Sequence, residues 1–220
     1  MCGRFGVANY EILPKRFDLI SEQIQQLTLE PSYNIAPTTT VATIVRHSPN
    51  SLELMRWGFM PEWAKDKKGM RELINAKAEG LATSKTFKKA FQFQRCIIPA
   101  SFFFEWQKGE SGKTPHCIKV KGEDVFGFAG LWFEVAGGHS CVIITTAPNK
   151  LMEPIHNRMP AILRREDEDG WLNPDQTEPD ILGEMLRSYP AGEMDAYTVS
   201  RAVNSPRNNS PELITHEARQ

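Results

Sequence analysis

The sequence predicts a mixed α+β fold around a curved, mostly antiparallel β-sheet with a barrel-like core. Between residues 95 and 147 the chain is rich in β-branched and aromatic residues, which favour strands. Turn sequences such as "KGED" and "AGGH" divide this region into short segments. Helical patterns are few and short, and many closely spaced strands with few helices are typical of this fold class.

The N-terminal part of the chain predicts two short helices and a hairpin. The helices are expected over residues 10–17 and 21–27. The segments "VATIVRH" (41–47) and "SLELMRWGF" (51–59) predict two strands that pair across the turn "SPN".

The rest of the chain predicts most of the sheet. The segment "RCIIPASFFFEWQK" (95–108) predicts two extended pieces broken at Pro99. Strands are then expected in "HCIKV", "VFGFAGLWFEV" and "SCVIITTA". A short helix over "PNKLMEPIH" (148–156) is expected to deliver His156, and "DEDGWLN" and "PDILGEMLRS" predict two further helices.

The composition is that of a globular protein with a real core, since the 220 residues are 40% hydrophobic and 24% charged. No repeat, low-complexity tract or linker interrupts the chain, so one domain is expected over 1–220, with a loose tail from about 215 to 220. No run approaches the roughly 18 apolar residues of a membrane span. The N-terminus lacks the pattern of a secretory signal, so a cytoplasmic location and no membrane partner are expected.

The cysteine spacing argues against a metal site. None of Cys2, Cys96, Cys117 and Cys141 lies in a C-x-x-C pair, which zinc fingers and ribbons need. The last three lie in apolar, β-branched stretches and are expected to be small buried residues of strands. Cys2 has no such context.

The net charge of −1 by itself suggests no nucleic-acid partner, but the charges are unevenly distributed. Residues 56–95 carry ten Lys and Arg against four acids, whereas 166–195 are strongly acidic. A near-neutral protein can still present one basic face. The alternative, a solvated surface of mixed charge, stays open at this point.

Three polar side chains are candidates for chemistry. Glu105 stands between "SFFF" and Trp106, where a carboxylate is costly unless it is used or paired. His156, in "EPIHNRMP", suits proton transfer or a structural role equally. Asn75, in "LINAKAEG", could bond an oxyanion, but on local grounds it is the N-cap of a following helix.

Other polar and aromatic residues have two readings. Asn34, before Pro37, is expected in a turn. Trp57 and Trp63 bracket "WGFMPEW"; exposed tryptophans beside lysines suit stacking on single-stranded bases, whereas buried ones would simply pack under a loop.

Cys2 carries the most specific chemistry. If Met1 is removed, Cys2 presents a free α-amine and a thiol whose ordinary pKa values lie near 8 and 8.5. The amine can attack an aldehyde to form a Schiff base, and the thiol can then close a five-membered thiazolidine. An N-terminal nucleophile hydrolase would use the same amine as its base, and a chance cysteine also remains possible.

Taken together, eight motifs in order resemble one family. They are "MCGRF", "YNIAPT", "WGFMPEW", "INAKAE", "CIIPASFFFEW", "ITTAP", "IHNRMPAIL" and "YTVSRAVN". The chain resembles the SRAP family, the SOS-response-associated peptidase-like or abasic-site-processing proteins, from Cys2 to about residue 214. The resemblance implies a compact α+β domain with a barrel-like centre and a basic groove.

The resemblance also implies a function in the DNA damage response. Such proteins remove their own initiator methionine and bind abasic sites in single-stranded DNA or at single-strand/double-strand junctions. The N-terminal cysteine then forms a thiazolidine crosslink that shields the lesion. A monomer with no cofactor or metal is expected, associated with the nucleoid if the source is bacterial.

The resemblance assigns roles residue by residue. Cys2 matches the nucleophile, Glu105 and His156 match the proton-transfer residues, and Asn75 matches the amide that positions the sugar. The DNA-contacting set comprises Arg4, Asn34, Trp57, Pro61, Trp63, Lys77, Lys85 and Arg158.

The chain departs from the family pattern at three positions. Lys77 and Gly80 replace an arginine and a threonine, and Asn157 replaces an acid. Lysine keeps the charge of arginine but loses its bidentate geometry, so phosphate affinity is expected to be weaker there. Two rival functions remain: a thiol peptidase acting on other proteins, and a non-catalytic binder of single-stranded DNA.

Overall fold

The computed structural model describes residues 2–20, 27, 29–46, 50–64, 67, 69–110 and 112–217. The strands are β1 (Phe5–Val7), β2 (Ser32–Ile35), β3 (Thr40–Arg46), β4 (Asn50–Trp57), β5 (Asn75–Lys77), β6 (Arg95–Ala100), β7 (Phe102–Gly109), β8 (Gly112–Val120), β9 (Phe126–Val135), β10 (Gly138–Thr146), β11 (Met159–Pro160) and β12 (Met194–Thr198). The helices are α1 (Leu13–Phe17), α2 (Lys88–Phe93), α3 (Arg165–Leu172) and α4 (Pro179–Glu184). Short 3₁₀ segments cover Glu62–Ala64, Ala78–Gly80, Ala191–Glu193, Arg201–Asn204 and Pro211–Ile214.

Five strands close into a barrel. They run in the order β3, β4, β10, β9 and β6, and β6 pairs back to β3 at Ile44 and Ile97. Each of these pairings is antiparallel except that of β4 with β10. The predicted α+β fold with a curved, mostly antiparallel, barrel-like core is confirmed.

A second sheet lies beside the barrel, with antiparallel strands in the order β12, β8, β7, β1 and β2. Its short strand β1 contacts the barrel through Phe5, whose ring packs edge-on against Trp57 and Phe128 at centroid distances of 5.2 and 5.7 Å. Edge-to-face aromatic pairs of this kind stabilise a core beyond the area they bury. This packing fixes the N-terminal residues against the barrel wall.

The C-terminal end of β10 extends beyond the barrel and pairs with two further strands. β5 joins β10 in parallel, with Asn75 beside Ile143, and β11 joins it in antiparallel, with Met159 beside Thr146. Because β5 and β11 both attach at the same end of β10, the segments "INAKAE" and "IHNRMP" meet there. The site described below lies at this meeting point.

Most of the predicted elements are confirmed. The hairpin strands are β3 and β4, the three strong strands are β8, β9 and β10, and helix α3 covers most of "DEDGWLN". Helix α1 begins at Leu13 rather than Tyr10, and α4 ends at Glu184. Residues 21–26 of the second predicted helix lie outside the described residues.

Two element predictions are wrong. The break between β6 and β7 falls at Ser101, and Pro99 lies inside β6 opposite Gly127. A proline is tolerated there because the pairing of β6 with β3 is confined to Ile97, so no ladder on that side needs an N–H from Pro99.

The second correction concerns residues 148–156, which form hydrogen-bonded turns and not a helix. The Asn149 carbonyl accepts from Met152 and Glu153, but Pro154 has no N–H to continue the ladder. The Asn149 side chain also accepts from Leu151 and Met152 at 3.1 and 3.0 Å. These hydrogen bonds from the N–H groups of Leu151, Met152 and Glu153 to Asn149 close a tight turn before His156.

The predicted loose tail is described only up to residue 217. Glu217 donates its N–H to the Thr198 carbonyl at 2.9 Å and accepts at its own carbonyl from the Thr198 hydroxyl at 3.0 Å. Residues 218–220 lie outside the described residues. Among the described residues, no helix is long and apolar enough to cross a membrane.

All four cysteines are reduced and completely shielded from solvent. The prediction that Cys96, Cys117 and Cys141 are buried strand residues is confirmed, since they lie in β6, β8 and β10. Burial raises the pKa of each thiol above its ordinary value, to about 11 for Cys117. In the folded chain these thiols hold their protons at pH values where an unfolded chain loses them.

We therefore expect alkaline destabilisation. A raised folded pKa means that the unfolded state binds fewer protons above the unfolded value near 8.5, so stability is present below that pH and falls as pH rises. Replacing Cys141 by Ala should reduce the fall by up to about 1.4 kcal/mol per pH unit. Urea unfolding at pH 8 to 10.5 measures this slope, with Val142→Ala as the control for cavity formation. Equal slopes for Cys141→Ala and the wild type would contradict it.

We also expect β1 to reject any side chain at Gly6. A Cβ there would overlap the Phe102 ring and lie 2.7 Å from the Ser32 carbonyl oxygen. Gly6→Ala should therefore destabilise the fold by about 1–3 kcal/mol. Gly192→Ala is the matched control, because a Cβ there meets nothing within 4 Å. Equal urea midpoints for the two variants would show that β1 tolerates the change.

Candidate active site

Cys2 lies three residues before β1 and is held there by two contacts. Its thiol lies 4.0 Å from the Arg4 carbonyl oxygen, and its own carbonyl accepts a hydrogen bond from Asn75 Nδ2 at 2.9 Å. Strand β1 continues along β7, since Phe104 donates its N–H to the Arg4 carbonyl at 2.9 Å. Because Glu105 follows Phe104 in β7, this hydrogen bond places the segment that contains Cys2 near Glu105.

Glu105 is buried in β7, with 3% of the residue exposed, and its cross-strand neighbour is His116 of β8. The pKa of the Cys2 thiol is raised far above its ordinary range, first because the thiol is buried and second because of the negative charge of Glu105. The carboxylate and the thiol therefore share one electrostatic environment, in which the thiol stays protonated at neutral pH.

His156 lies on the other side of Glu105. Its Nε2 is 4.0 Å from Glu105 Oε2. Its Nδ1 lies 3.0 Å from the Arg158 backbone nitrogen and 3.2 Å from the Arg158 carbonyl oxygen, so it bonds that backbone in either tautomer. About a quarter of the His156 side chain is exposed, which leaves it open to a ligand.

Asn75 lies in β5 and is not a helix cap, which corrects the local interpretation of the sequence. Tertiary pairing with β10 overrides the local preference, because Asn75 is bound in register beside Ile143. Its Nδ2 is used by the Cys2 carbonyl, whereas its Oδ1 is buried and has no hydrogen-bond partner among the described residues. That oxygen is available to accept a hydrogen bond.

The structure thus brings together the four residues predicted to be catalytic. Asn75 contacts Cys2, Glu105 acts on the Cys2 thiol through its charge, and His156 faces Glu105. They come from β5, the segment before β1, β7 and the turn before β11. No two are neighbours in the sequence, so the fold alone assembles this cluster.

Arg4 and Asn34, both predicted to contact DNA, are bonded to each other and to the C-terminal part of the chain. Arg4 Nη1 donates to Asn34 Oδ1 at 2.7 Å and to the Val203 carbonyl at 2.9 Å. Asn34 Nδ2 donates to the carbonyls of Val203, Ser205 and Asn208. Asn34 lies in β2 and not in a turn, and the pair holds the 201–208 segment in place.

The two tryptophans of "WGFMPEW" differ in exposure, so one fits a packing role and the other fits a stacking surface. Trp57 is completely buried and donates to the Ile74 carbonyl at 2.9 Å, so the expectation that it stacks on bases is corrected to a packing role. Pro61 is also buried. Trp63 is 53% exposed, with Lys67 Nζ 4.7 Å from its ring centroid, which fits a stacking surface.

The remaining predicted DNA contacts divide in the same way. Lys77 and Lys85 are exposed. Arg158 is mostly buried, and its guanidinium donates to both carboxylate oxygens of Glu79 at 2.6 and 2.9 Å. Two residues at the site were not singled out from the sequence, Glu79 and His116. Glu79 lies within the motif "INAKAE", which was the signal available, and nothing local distinguishes His116.

The described part of the chain contains no group of three or more His, Cys, Asp and Glu side chains able to hold a metal ion. A cavity of about 460 Å³ lined by Phe59, Phe133 and Ser140 has none of the four clustered residues in its wall. The clustered polar groups around Cys2 therefore define the candidate site.

The chain is similar to known proteins in both sequence and structure. The chain is 46% identical to the abasic site processing protein YoqW of Bacillus subtilis, over 97% of this chain and 99% of that protein. It is 31% identical to the abasic site processing protein YedK of Escherichia coli, over 97% and 99% of the two chains.

A crystal structure of a protein from Bacteroides thetaiotaomicron is similar in fold, with a TM-score of 0.84 and 26% identity, covering 99% of this chain and 100% of the other. The family described as SOS response associated peptidase (SRAP) matches residues 1–206. The chain therefore belongs to the SRAP family.

Proposed function

We propose that this protein processes abasic sites in single-stranded DNA by linking itself covalently to the lesion through Cys2. The observation that carries the proposal is the cluster of Asn75, Glu105 and His156 around the residue next to the initiator methionine. The relatives named abasic site processing proteins support the same reading. The crosslink protects the lesion during the DNA damage response.

The reaction begins with self-removal of Met1. Water is added across the Met1–Cys2 peptide bond, which releases methionine and leaves the α-amine of Cys2 free. Asn75 Nδ2 already bonds the carbonyl of Cys2, and this contact holds the residue while its nitrogen changes from an amide to an amine. This activity is an autopeptidase step, and the later crosslinking is lyase-like.

The crosslink then forms in two steps. The α-amine attacks the C1′ aldehyde of the ring-opened deoxyribose and water leaves, which gives an imine. The Cys2 sulfur adds to the imine carbon, and the thiol proton is transferred to the nitrogen. One water is released for each thiazolidine formed, and no oxidant or cofactor takes part.

The burial of the thiol sets the order of these steps. Because its pKa is raised, Cys2 enters the reaction as a thiol, and a base must accept its proton when sulfur attacks. Glu105 is the buried carboxylate beside it. His156 donates a proton to the sugar ring oxygen during ring opening, and Asn75 Oδ1 accepts a hydrogen bond from the sugar hydroxyl.

Binding of the strand does not depend on its sequence. Trp63, Lys67, Lys77 and Lys85 supply an exposed aromatic face and positive charge, which suit stacking and phosphate contacts. An abasic site has no base to extrude, so its sugar reaches Cys2 without the cost of unstacking. We propose that the protein acts as a monomer on single strands and junctions, at the nucleoid of a bacterial cell.

The first test is a crosslinking assay without borohydride. Protein checked by mass for loss of Met1 is mixed with single-stranded DNA that carries one abasic site. A heat-stable band on a denaturing gel is expected for the wild type and should be absent for Cys2→Ala. A stable band with Cys2→Ala would remove Cys2 as the nucleophile.

The same assay separates the two rivals. A peptidase acting on other proteins would cleave a peptide supplied in trans and leave the DNA unlinked. A plain single-strand binder would retard intact and abasic DNA equally in a native gel, with affinity that falls steeply with salt. Either result, with no covalent band from a processed chain, would replace the proposed function.

We expect Glu105 to control the rate of crosslinking and not the affinity for DNA. Glu105→Gln keeps the shape of the side chain but cannot accept a proton, and should slow the reaction by about 10²–10⁴-fold at saturating DNA. Glu53→Gln is the matched control, since Glu53 pairs with His139 at 2.9 Å on β4 and β10, away from Cys2. Equal losses in the two variants would point to general destabilisation.

A further inference from the structure

Glu79 and Arg158 form an ion pair next to the candidate site. Glu79 belongs to the 3₁₀ segment Ala78–Gly80, which directly follows β5, and Arg158 precedes β11. The carboxylate binds both terminal nitrogens of the guanidinium, at 2.6 and 2.9 Å. Planar, bidentate pairs of this kind fix the relative orientation of the two groups as well as attracting them.

Arg158 is held on its inner side too. Its Nη2 also donates to the Thr145 carbonyl of β10, and its side chain is only 13% exposed. The pKa of Glu79 is lowered by the hydrogen bond from Arg158, so the carboxylate is ionised at neutral pH. The guanidinium therefore lies between the Thr145 carbonyl and the Glu79 carboxylate, whose own side chain is 56% exposed.

The backbone of Arg158 contacts the His156 ring, so the position of Arg158 affects the position of that imidazole. The backbone nitrogen and the carbonyl oxygen of Arg158 lie 3.0 and 3.2 Å from His156 Nδ1. The other ring nitrogen, Nε2, lies 4.0 Å from Glu105 Oε2. A shift of Arg158 would weaken the contact with Nδ1 and let the ring rotate.

Glu79 also lies on the segment that holds the other half of the cluster. Asn75, four residues earlier, bonds the Cys2 carbonyl. One short stretch thus contacts Cys2 at its start and the 156–158 turn at its end. The Glu79–Arg158 pair therefore joins the segment that contacts Cys2 to the segment that carries His156.

We propose that Glu79 is a positioning residue, which acts through Arg158 to fix the orientation of His156 in the crosslinking reaction. Glu79 does not touch the sugar or the reacting atoms. The inference rests on the proposed function for its kinetic consequence, but its structural consequence can be measured without DNA.

The first measurement is therefore of the free protein. Long-range ¹H–¹⁵N NMR spectra of the His156 ring report whether the ring keeps one environment or exchanges between several. The wild type should give one sharp set of ring signals, and Glu79→Gln should give signals broadened by exchange between ring orientations. Glu123→Gln is the matched control, because Glu123 forms a comparable bidentate pair with Arg165, at 2.9 and 2.5 Å. Unchanged ring signals in Glu79→Gln would overturn the proposal.

The second measurement is kinetic, with single-stranded abasic DNA. Glu79→Gln should lower the crosslinking rate at saturating DNA by about tenfold, with no rise in the half-saturating DNA concentration. Glu79→Asp should recover part of the rate. A rise in the half-saturating concentration at unchanged maximal rate would make Glu79 a DNA contact and overturn the proposal. Failure of the wild type to form a crosslink would refute the proposed function alone, because the NMR measurement on the free protein stands independently.

Discussion

The packing of Phe5 against the barrel decides where the chemistry is placed. The first residues of a chain are ordinarily poorly ordered unless something ties them down. Here the Phe5 ring contacts Trp57 and Phe128, and β1 is paired on both edges, with β2 and β7. Cys2, three residues before Phe5, is consequently buried. The cysteine at position 2 is thus as completely buried as the residues of the core.

Burial of Cys2 has a chemical consequence as well as a structural one. A free cysteine in water is partly ionised near neutral pH and reacts with many electrophiles. Beside Glu105, with no solvent contact, the thiol keeps its proton and is a poor nucleophile on its own. In the reaction proposed above, the amine therefore acts first, and the sulfur is activated only when a proton acceptor is in place. Such an arrangement protects the thiol from unproductive chemistry.

Local sequence patterns predicted some parts of this site and not others. Glu105 was identifiable because a carboxylate surrounded by aromatic residues is costly unless it has a use, and the structure buries it. Asn75 was not, because its environment is created by pairing with β10, far away in the sequence. The exposure of tryptophans is equally non-local: Trp57 and Trp63 have similar neighbours in the chain, yet only Trp63 is exposed. The strands were predictable because their apolar, β-branched residues are a local signal, whereas closure of the barrel through Ile44 and Ile97 is not.

The three departures from the family pattern fall outside the contacts that hold the cluster together. A side chain at Gly80 would meet nothing within 4 Å, so the glycine leaves open space where the family has threonine. Lys77 and Asn157 are exposed, and they flank the segments that carry Asn75 and His156. The pair of Glu79 and Arg158, by contrast, is intact. We therefore expect variation at the three positions to change the exposed surface proposed to meet DNA and to leave the cluster around Cys2 unchanged. If that proposal holds, affinity and chemistry can vary separately in this fold, because the exposed Lys77 and Asn157 lie on the same segments as Asn75 and His156.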